Sequence, residues 1–151
     1  MAESQKARTL RGKSPSPRSL ALARVLLAHG DLAPRLTLQT ILQAGGYAVD
    51  VAATAAEALA KLDEGQYELV LSDVAIGSSR GGFDVLAYAR VKDYRPATAL
   101  ITSDQPAYRP ATGRRHEVAI YTENLPNLLE KVAELIGMRA SRRYRPLRQA
   151  G

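Results

Sequence analysis

The strongest fold signal in the sequence is the stretch Leu69-Val-Leu-Ser-Asp73. Its first three residues are apolar without alternation, a pattern that is typical of a strand buried on both faces of a parallel sheet. The two polar residues that follow mark the end of this strand. We therefore predict a central strand, the third in the chain, that carries Asp73 at its carboxyl end.

Short apolar runs predict four more strands around this one. They are Arg24–Ala28, Tyr47–Ala52, Ala97–Thr102 and Val118–Tyr121. Helical patterns lie between the runs. This alternation predicts right-handed crossovers and an α/β fold, in which helices cover both faces of a doubly wound, five-stranded parallel sheet.

Local signals predict where the first two helices begin and end. Asp31 caps the first helix, which tolerates Pro34 in its first turn and ends at Gly45-Gly46. Thr54 and Glu57 have the spacing of a capping box, which opens the second helix.

The patterns that predict the later helices differ in strength. Residues 77–82 contain three glycines and predict a loop, after which the third helix begins near Phe83. The segment 103–115 contains two prolines and a glycine, so the fourth helix is expected to be short or missing. Apolar spacing over residues 125–136 predicts a final amphipathic helix that Gly137 ends.

The net charge of +6 is spread unevenly along the 151 residues. Residues 1–24 hold six Lys or Arg and one acid, residues 138–151 hold five Arg and no acid, and residues 25–137 hold more acids than bases. We predict a flexible basic N-terminal tail over 1–22, one domain over 23–137 and an arginine-rich C-terminal tail over 138–151. Either the tails are solvated, or they contact nucleic acid, an anionic surface or an acidic partner.

The composition excludes several classes of protein. Without cysteine the chain has no disulfides, cysteine-ligated zinc, iron–sulfur cluster or catalytic thiol. Its two histidines, His29 and His116, are too few for a multi-histidine metal site. No apolar stretch is long enough to span a membrane, and no hydrolase, oxidoreductase or phosphate-loop motif is present. We expect a cytoplasmic protein that is not an enzyme.

Candidate binding residues follow from the predicted sheet. Ligands of such sheets bind beyond the carboxyl ends of the strands. The residues predicted at those ends are His29, Gly30, Asp31, Asp73, Thr102 and Glu123.

Over about residues 23–137 the sequence resembles the receiver domain of two-component response regulators (the CheY-like domain). The resemblance is carried by the order and spacing of five runs, Arg24-Val-Leu-Leu-Ala, Gly46-Tyr-Ala-Val, Glu57-Ala-Leu, Tyr67-Glu-Leu-Val-Leu-Ser-Asp73 and Phe83-Asp-Val-Leu. It implies a flavodoxin-like sheet with the strand order 2-1-3-4-5. It also implies that Asp73 matches the aspartate that accepts a phosphoryl group.

The chain departs from this family around Asp73. The family binds Mg²⁺ with an acidic pair after the first strand, and this pair falls on His29 and Gly30 here. Imidazole is a poor Mg²⁺ ligand, so no cofactor is expected, and Mg²⁺ is expected only if the site is active, on Asp31 and Asp73. The family's lysine after the fifth strand falls on Glu123. The resemblance therefore predicts a degenerate, atypical receiver.

Each pocket residue also has a structural interpretation. Asp73 could cap its glycine-rich loop, and Asp31 could be only a helix cap. His29 could be a loop histidine, or it could sense pH beside Asp73 and Glu123. Thr102 matches the family's hydroxyl residue that senses the phosphoryl group, but it could also simply end a strand.

A docking surface is implied near the end of the domain. In receivers the fourth helix, the fifth strand and the last helix commonly bind partners. The candidate docking residues of this chain are Tyr108, Arg109, Arg114, Arg115, Ile120 and Tyr121. A solvated charged loop is the alternative for the arginines.

Three functions are compatible with these observations. The first is a stand-alone signalling module that docks a histidine kinase or another signalling protein, largely independently of phosphorylation. The second is a phosphoryl acceptor at Asp73. The third is weak, nonspecific binding of nucleic acid through the basic tails.

Overall fold

The computed structural model describes residues 22–102, 118–122 and 125–150. In this part of the chain strands and helices alternate along the sequence as predicted. The strands are β1 (Arg24–Ala28), β2 (Ala48–Ala52), β3 (Leu69–Asp73), β4 (Ala97–Thr102) and β5 (Ala119–Tyr121). The helices are α1 (Leu32–Ala44), α2 (Ala55–Glu64), α3 (Gly81–Arg90) and α4 (Leu125–Ala150).

The strands within these ranges form one parallel sheet in the order β2-β1-β3-β4-β5. The predicted fold class and strand order are confirmed, and β3 is the central strand. In the register of the sheet Ala28 pairs with Ser72, and Asp73 pairs with Ile101. The carboxyl ends of β1, β3 and β4 therefore lie side by side.

Two apolar cores cover the two faces of the sheet. Alternate residues of β1 point to opposite cores, with Leu27 in one and Leu26 in the other. The first core contains buried residues of α1 and α4, and the second contains buried residues of α2 and α3. This burial on both faces explains why the central strands are continuously apolar.

The capping box before α2 is confirmed, with one variation. The Thr54 hydroxyl oxygen accepts the Glu57 backbone N–H at 3.0 Å. The Glu57 carboxylate accepts the N–H of Ala53, the residue before the cap, at 2.9 Å. Two backbone donors at the start of α2 are thereby satisfied.

The start of α3 differs from the prediction, because Gly81 and Gly82 belong to the helix and not to the preceding loop. A Cβ atom at Gly81 would overlap the Ile76 carbonyl oxygen, and one at Gly82 would overlap the Asp73 carbonyl oxygen. These glycines therefore permit close approach between α3 and the backbone that follows β3. They are not part of a loop that separates β3 from α3.

The predicted end of the last helix at Gly137 is wrong, because α4 continues to Ala150. Glycine weakens a helix interior by only about 1 kcal/mol, which neighbouring contacts can offset. One such contact lies beyond Gly137. Arg139 donates from Nε to the Arg95 carbonyl at 3.0 Å and from Nη2 to the Tyr94 carbonyl at 2.8 Å.

Two predictions concern segments outside the described residues. They are the flexible tail over 1–22, of which only Leu22 is described, and the short or missing fourth helix within 103–117. Among the helices that are described, none has the length and hydropathy needed to cross a membrane.

Candidate functional site

A cleft of about 320 Å³ lies at the carboxyl edge of the sheet. The structure brings four of the predicted site residues to it, His29, Asp31, Asp73 and Thr102. Gly30 lies between two of them on the exposed turn after β1. The remaining lining residues are Pro34, Thr37, Leu38, Ile101 and Thr122.

The strand register explains why these residues meet. His29 follows Ala28, which pairs with Ser72, so the imidazole lies beside the end of β3 where Asp73 follows. The His29 backbone N–H donates to the Ala52 carbonyl at 3.0 Å, which holds the turn against the edge strand. Ser72 itself is fully buried, and its hydroxyl donates to the Asp73 carbonyl at 3.1 Å.

The two ring nitrogens of His29 have different surroundings. Nδ1 accepts the Asp31 backbone N–H at 3.1 Å. Nε2 lies 3.9 Å from Asp73 Oδ1, and only 12% of the imidazole is exposed. Because Nδ1 acts as an acceptor, the hydrogen-bond network assigns the ring proton to Nε2, on the side of Asp73.

Asp31 occupies the N-cap position of α1, as predicted, but its side chain makes no capping hydrogen bond. Asp31 is exposed and lines the cleft. From the first turn of α1, Arg35 donates from Nη1 to the His29 carbonyl at 2.9 Å. The turn after β1 is thus held by contacts of His29 and Arg35, and the carboxylate of Asp31 does not hold it.

Among the described residues that line the cleft, the acids are Asp31 and Asp73. Mg²⁺ requires oxygen ligands in near-octahedral geometry. The imidazole of His29, which offers nitrogen, lies beside the Asp73 carboxylate. Among the described residues, no group of three or more His, Asp or Glu side chains could hold a metal ion.

The candidate docking residues have different outcomes. Tyr108, Arg109, Arg114 and Arg115, like Glu123 of the pocket, lie outside the described residues. Ile120 is 1% exposed and packs in the first core, so its side chain is not on a docking surface. The physical reason is its place in β5, where it pairs with Ile101 and faces the helices of that core. Tyr121 is half-buried.

Sequence reasoning missed Thr122 and Thr37. Thr122 directly follows β5, and its N–H donates to the Thr102 carbonyl at 3.0 Å. The same rule that selected Thr102 could have selected it, because both lie at carboxyl ends of strands. Thr37 carries no such signal, since only the packing of α1 brings it to the cleft.

A second groove, of about 690 Å³, lies at the opposite, amino edge of the sheet. It is lined by Leu22 and Arg24 at the start of β1, by residues that precede β3 and β4, and by Arg139 of α4. Beside it, Arg24 Nη2 contacts Asp50 at 2.7 Å, and the Tyr67 hydroxyl donates to the same carboxylate at 2.7 Å. Burial raises the pKa of Asp50, but these two hydrogen bonds outweigh it and leave the pKa below its usual value.

Comparisons with known proteins agree with this architecture. The sequence matches no protein-family model and no curated protein. Solved structures do match. A CheY-like response regulator receiver domain protein from Methanospirillum hungatei JF-1 is 25% identical with a TM-score of 0.68, and the match covers 81% of this chain and 99% of that one.

Two further receiver structures match over similar lengths. The chemotaxis protein CheY4 of Vibrio cholerae is 25% identical with a TM-score of 0.64, covering 76% of this chain and 99% of that one. The receiver domain of the hybrid histidine kinase CckA is 26% identical with a TM-score of 0.61, covering 76% and 99%. The strand order, the aspartate at the end of β3 and these likenesses lead to one conclusion: this chain has the fold of a CheY-like response-regulator receiver domain.

Proposed function

We propose that the protein is a signal-transduction module that acts by docking to another signalling protein, largely independently of phosphorylation. One observation carries the proposal. Nε2 of His29 lies 3.9 Å from the Asp73 carboxylate, while Nδ1 is held by the Asp31 N–H. An imidazole thus lies where phosphoryl transfer in the family relies on a metal-binding acid.

Electrostatics support this proposal. A phosphoryl group on Asp73 would replace the carboxylate charge of −1 by a charge of about −1.5 to −2, in a cleft that Asp31 also lines. The sequence adds Glu123 directly after Thr122, at the position of the family's lysine. Replacing an attractive charge about 4 Å away by a repulsive one changes the energy by several kcal/mol at an effective dielectric of 20.

The proposed partner is a histidine kinase or another signalling protein in the cytoplasm, and the module itself is not an enzyme. A receiver with a similar fold belongs to a hybrid histidine kinase. Tyr121 and the segment that contains Tyr108, Arg109, Arg114 and Arg115 remain the proposed docking residues. Ile120 is left out because it is buried.

The proposal is tested by amide NMR spectra of the ¹⁵N-labelled chain with and without Mg²⁺ and beryllofluoride, a mimic of the phosphoryl group. We expect unchanged resonances for Asp73, Thr102 and Tyr121 in a well-dispersed spectrum. Shifts that converge on these residues, and that vanish in Asp73→Asn, would show that the site responds to a phosphoryl group and would overturn the proposal.

A matched gain-of-function variant tests why we expect no spectral response to beryllofluoride. We expect the triple change His29→Asp, Gly30→Asp and Glu123→Lys to restore both the acidic pair and the lysine. It should then give beryllofluoride-dependent shifts at Thr102. If this variant folds and its spectrum still does not change with beryllofluoride, the absence of the acidic pair and the lysine is not what prevents the response.

The alternative function is a phosphoryl acceptor, and one observation favours it. The Asp73 side chain is 27% exposed and opens into the cleft with Thr102. A carboxylate oxygen would attack a phosphohistidine, forming a P–O bond as the P–N bond breaks. Radiolabel retained from acetyl phosphate by the native chain and lost in Asp73→Asn would favour this function over docking alone.

A further inference from the structure

β2 is the outermost strand on one side of the sheet. Along the described part of the chain it pairs with β1 alone. Its burial differs from that of the inner strands, because four of its five residues are part-exposed, whereas four of five are buried in both β1 and β3. Within the described residues, the outer side of β2 is thus not covered by another strand.

The backbone groups of β2 alternate between its two sides. The Ala48 N–H donates to the Ala23 carbonyl, and the Ala52 carbonyl accepts an N–H from the turn after β1, both at 3.0 Å. The even-numbered residues of β2 therefore direct their backbone groups toward β1, and Val49 and Val51 direct theirs outward. Two N–H donors and two carbonyl acceptors result, and no described residue pairs with them.

The sequence of β2 offers little protection against pairing with another strand. Natural edge strands are commonly protected by lysine, proline or an unpaired charge. The strand Ala48-Val-Asp-Val-Ala52 contains neither Lys nor Pro, and it has two β-branched valines. Its one charge, Asp50, is already bound by Arg24 and Tyr67 of the same chain, both at 2.7 Å. The outer side of β2 is therefore suited to accept a further strand.

We propose that β2 forms the interface of a symmetric homodimer, in which it pairs antiparallel with β2 of a second copy. A two-fold axis beside Val49 sets this residue opposite Val49 of the partner subunit. The two valines then exchange two N–H···O=C bonds, as a hydrogen-bonded pair of an antiparallel ladder does. A second copy fits because both strands are extended before they meet, which lowers the ordering cost of binding.

The side chains select this register among those that a two-fold axis allows. Val51 lies opposite Tyr47 of the partner subunit, and both side chains pack on the first core. Aromatic and β-branched residues that face each other in this way stabilise antiparallel strands. An axis beside Asp50 would instead set two carboxylates opposite each other, which is destabilising. An axis beside Val51 would lose its contact with the tyrosine.

The dimer is tested by sedimentation velocity and by amide hydrogen exchange of the full chain, over concentrations up to about 1 mM because so small an interface associates weakly. We expect the mass to rise toward that of two chains. The amides of Val49 and Val51 should become protected as the concentration rises. The Asp50 amide, which points to β1, is the internal control and should not change. A single-chain mass throughout, or protection that does not vary with concentration, would overturn the proposal.

Val49→Pro removes the N–H donor at the centre of the interface. The fold should tolerate the change, because this N–H makes no bond to β1 and proline occurs at such positions of edge strands. Two hydrogen bonds are lost per dimer, so the dissociation constant should rise about 10-fold or more. Urea unfolding checks that the variant is folded. A folded variant that dimerises like the native chain would place the interface elsewhere.

Ala48 offers a matched pair of variants, because it is part-exposed and lies opposite Asp50 of the partner subunit in the proposed register. Ala48→Asp sets like charges opposite each other in both halves of the dimer and should raise the dissociation constant about 5-fold. Ala48→Lys sets opposite charges there and should lower it by a similar factor. Equal effects of the two variants, or effects in the reverse order, would overturn the register. None of these outcomes bears on the docking function, because Val49 and Val51 do not line the cleft.

Discussion

The two edges of the sheet use their charged residues in opposite ways. At the amino edge Asp50 accepts hydrogen bonds from Arg24 and Tyr67, both at 2.7 Å. The Arg24 guanidinium also lies over the Tyr67 ring, 4.8 Å from its centroid. At the carboxyl edge Asp73 Oδ1 lies 3.9 Å from His29 Nε2.

The difference separates stability from recognition. Closely paired groups such as those at the amino edge tie β1, β2 and the start of β3 together. The looser contact of Asp73 with His29 contributes little to folding, and the Asp73 carboxylate opens into the cleft. Substitutions at Gly82, at the amino edge and at the carboxyl edge test this comparison. Their expected effects on the free energy of unfolding decrease in that order.

The largest effect is expected from Gly82→Ala, which disturbs the backbone at the carboxyl edge of the sheet. The new methyl group would overlap the Asp73 carbonyl oxygen, so α3 must move away from the end of β3. We expect a loss of about 3 kcal/mol in the free energy of unfolding, measured by urea denaturation. The control is Gly137→Ala, which meets no atom within 4 Å and should gain about 0.5–1 kcal/mol. Equal stabilities would contradict the close approach.

An intermediate effect is expected from Asp50→Asn at the amino edge. Its pKa is lowered in the folded state, so its contribution is present above the ordinary pKa of Asp and is lost as the pH falls through the folded value. The side chain is 42% exposed, so we expect a loss of only about 1 kcal/mol at neutral pH.

The difference in the free energy of unfolding between the native chain and Asp50→Asn should shrink when the pH falls below about 4, the range in which an unperturbed Asp titrates. Tyr67→Phe removes only the hydroxyl donor and should cost about 1 kcal/mol at neutral pH. Unfolding curves at both pH values check these outcomes. A constant difference between native chain and Asp50→Asn at all pH values would show that Asp50 gains nothing from its partners.

The smallest effect is expected from Asp73→Asn at the carboxyl edge. With His29 Nε2 as far as 3.9 Å away, we expect the free energy of unfolding to change by less than about 0.5 kcal/mol. Thermal unfolding at neutral pH measures it. A loss as large as that of Asp50→Asn would place Asp73 among the residues that hold the fold and would remove the contrast between the edges.

Local sequence determined much of this protein. The apolar runs predicted all five strands, and the Thr54–Glu57 spacing predicted a cap that the structure confirms. These features depend on residues close in sequence, which is why they could be read from it. The order of polar residues at strand ends likewise predicted that His29, Asp31, Asp73 and Thr102 would share a cleft.

Tertiary structure alone decided the rest. The start of α3 approaches the Ile76 carbonyl so closely that only glycine fits at position 81. Helix α4 passes Gly137, and Arg139 binds carbonyls 44 and 45 residues away in sequence. Ile120 is buried because β5 lies beside β4. Contacts between residues distant in sequence leave no local pattern, because they depend on which atoms the folded sheet brings together.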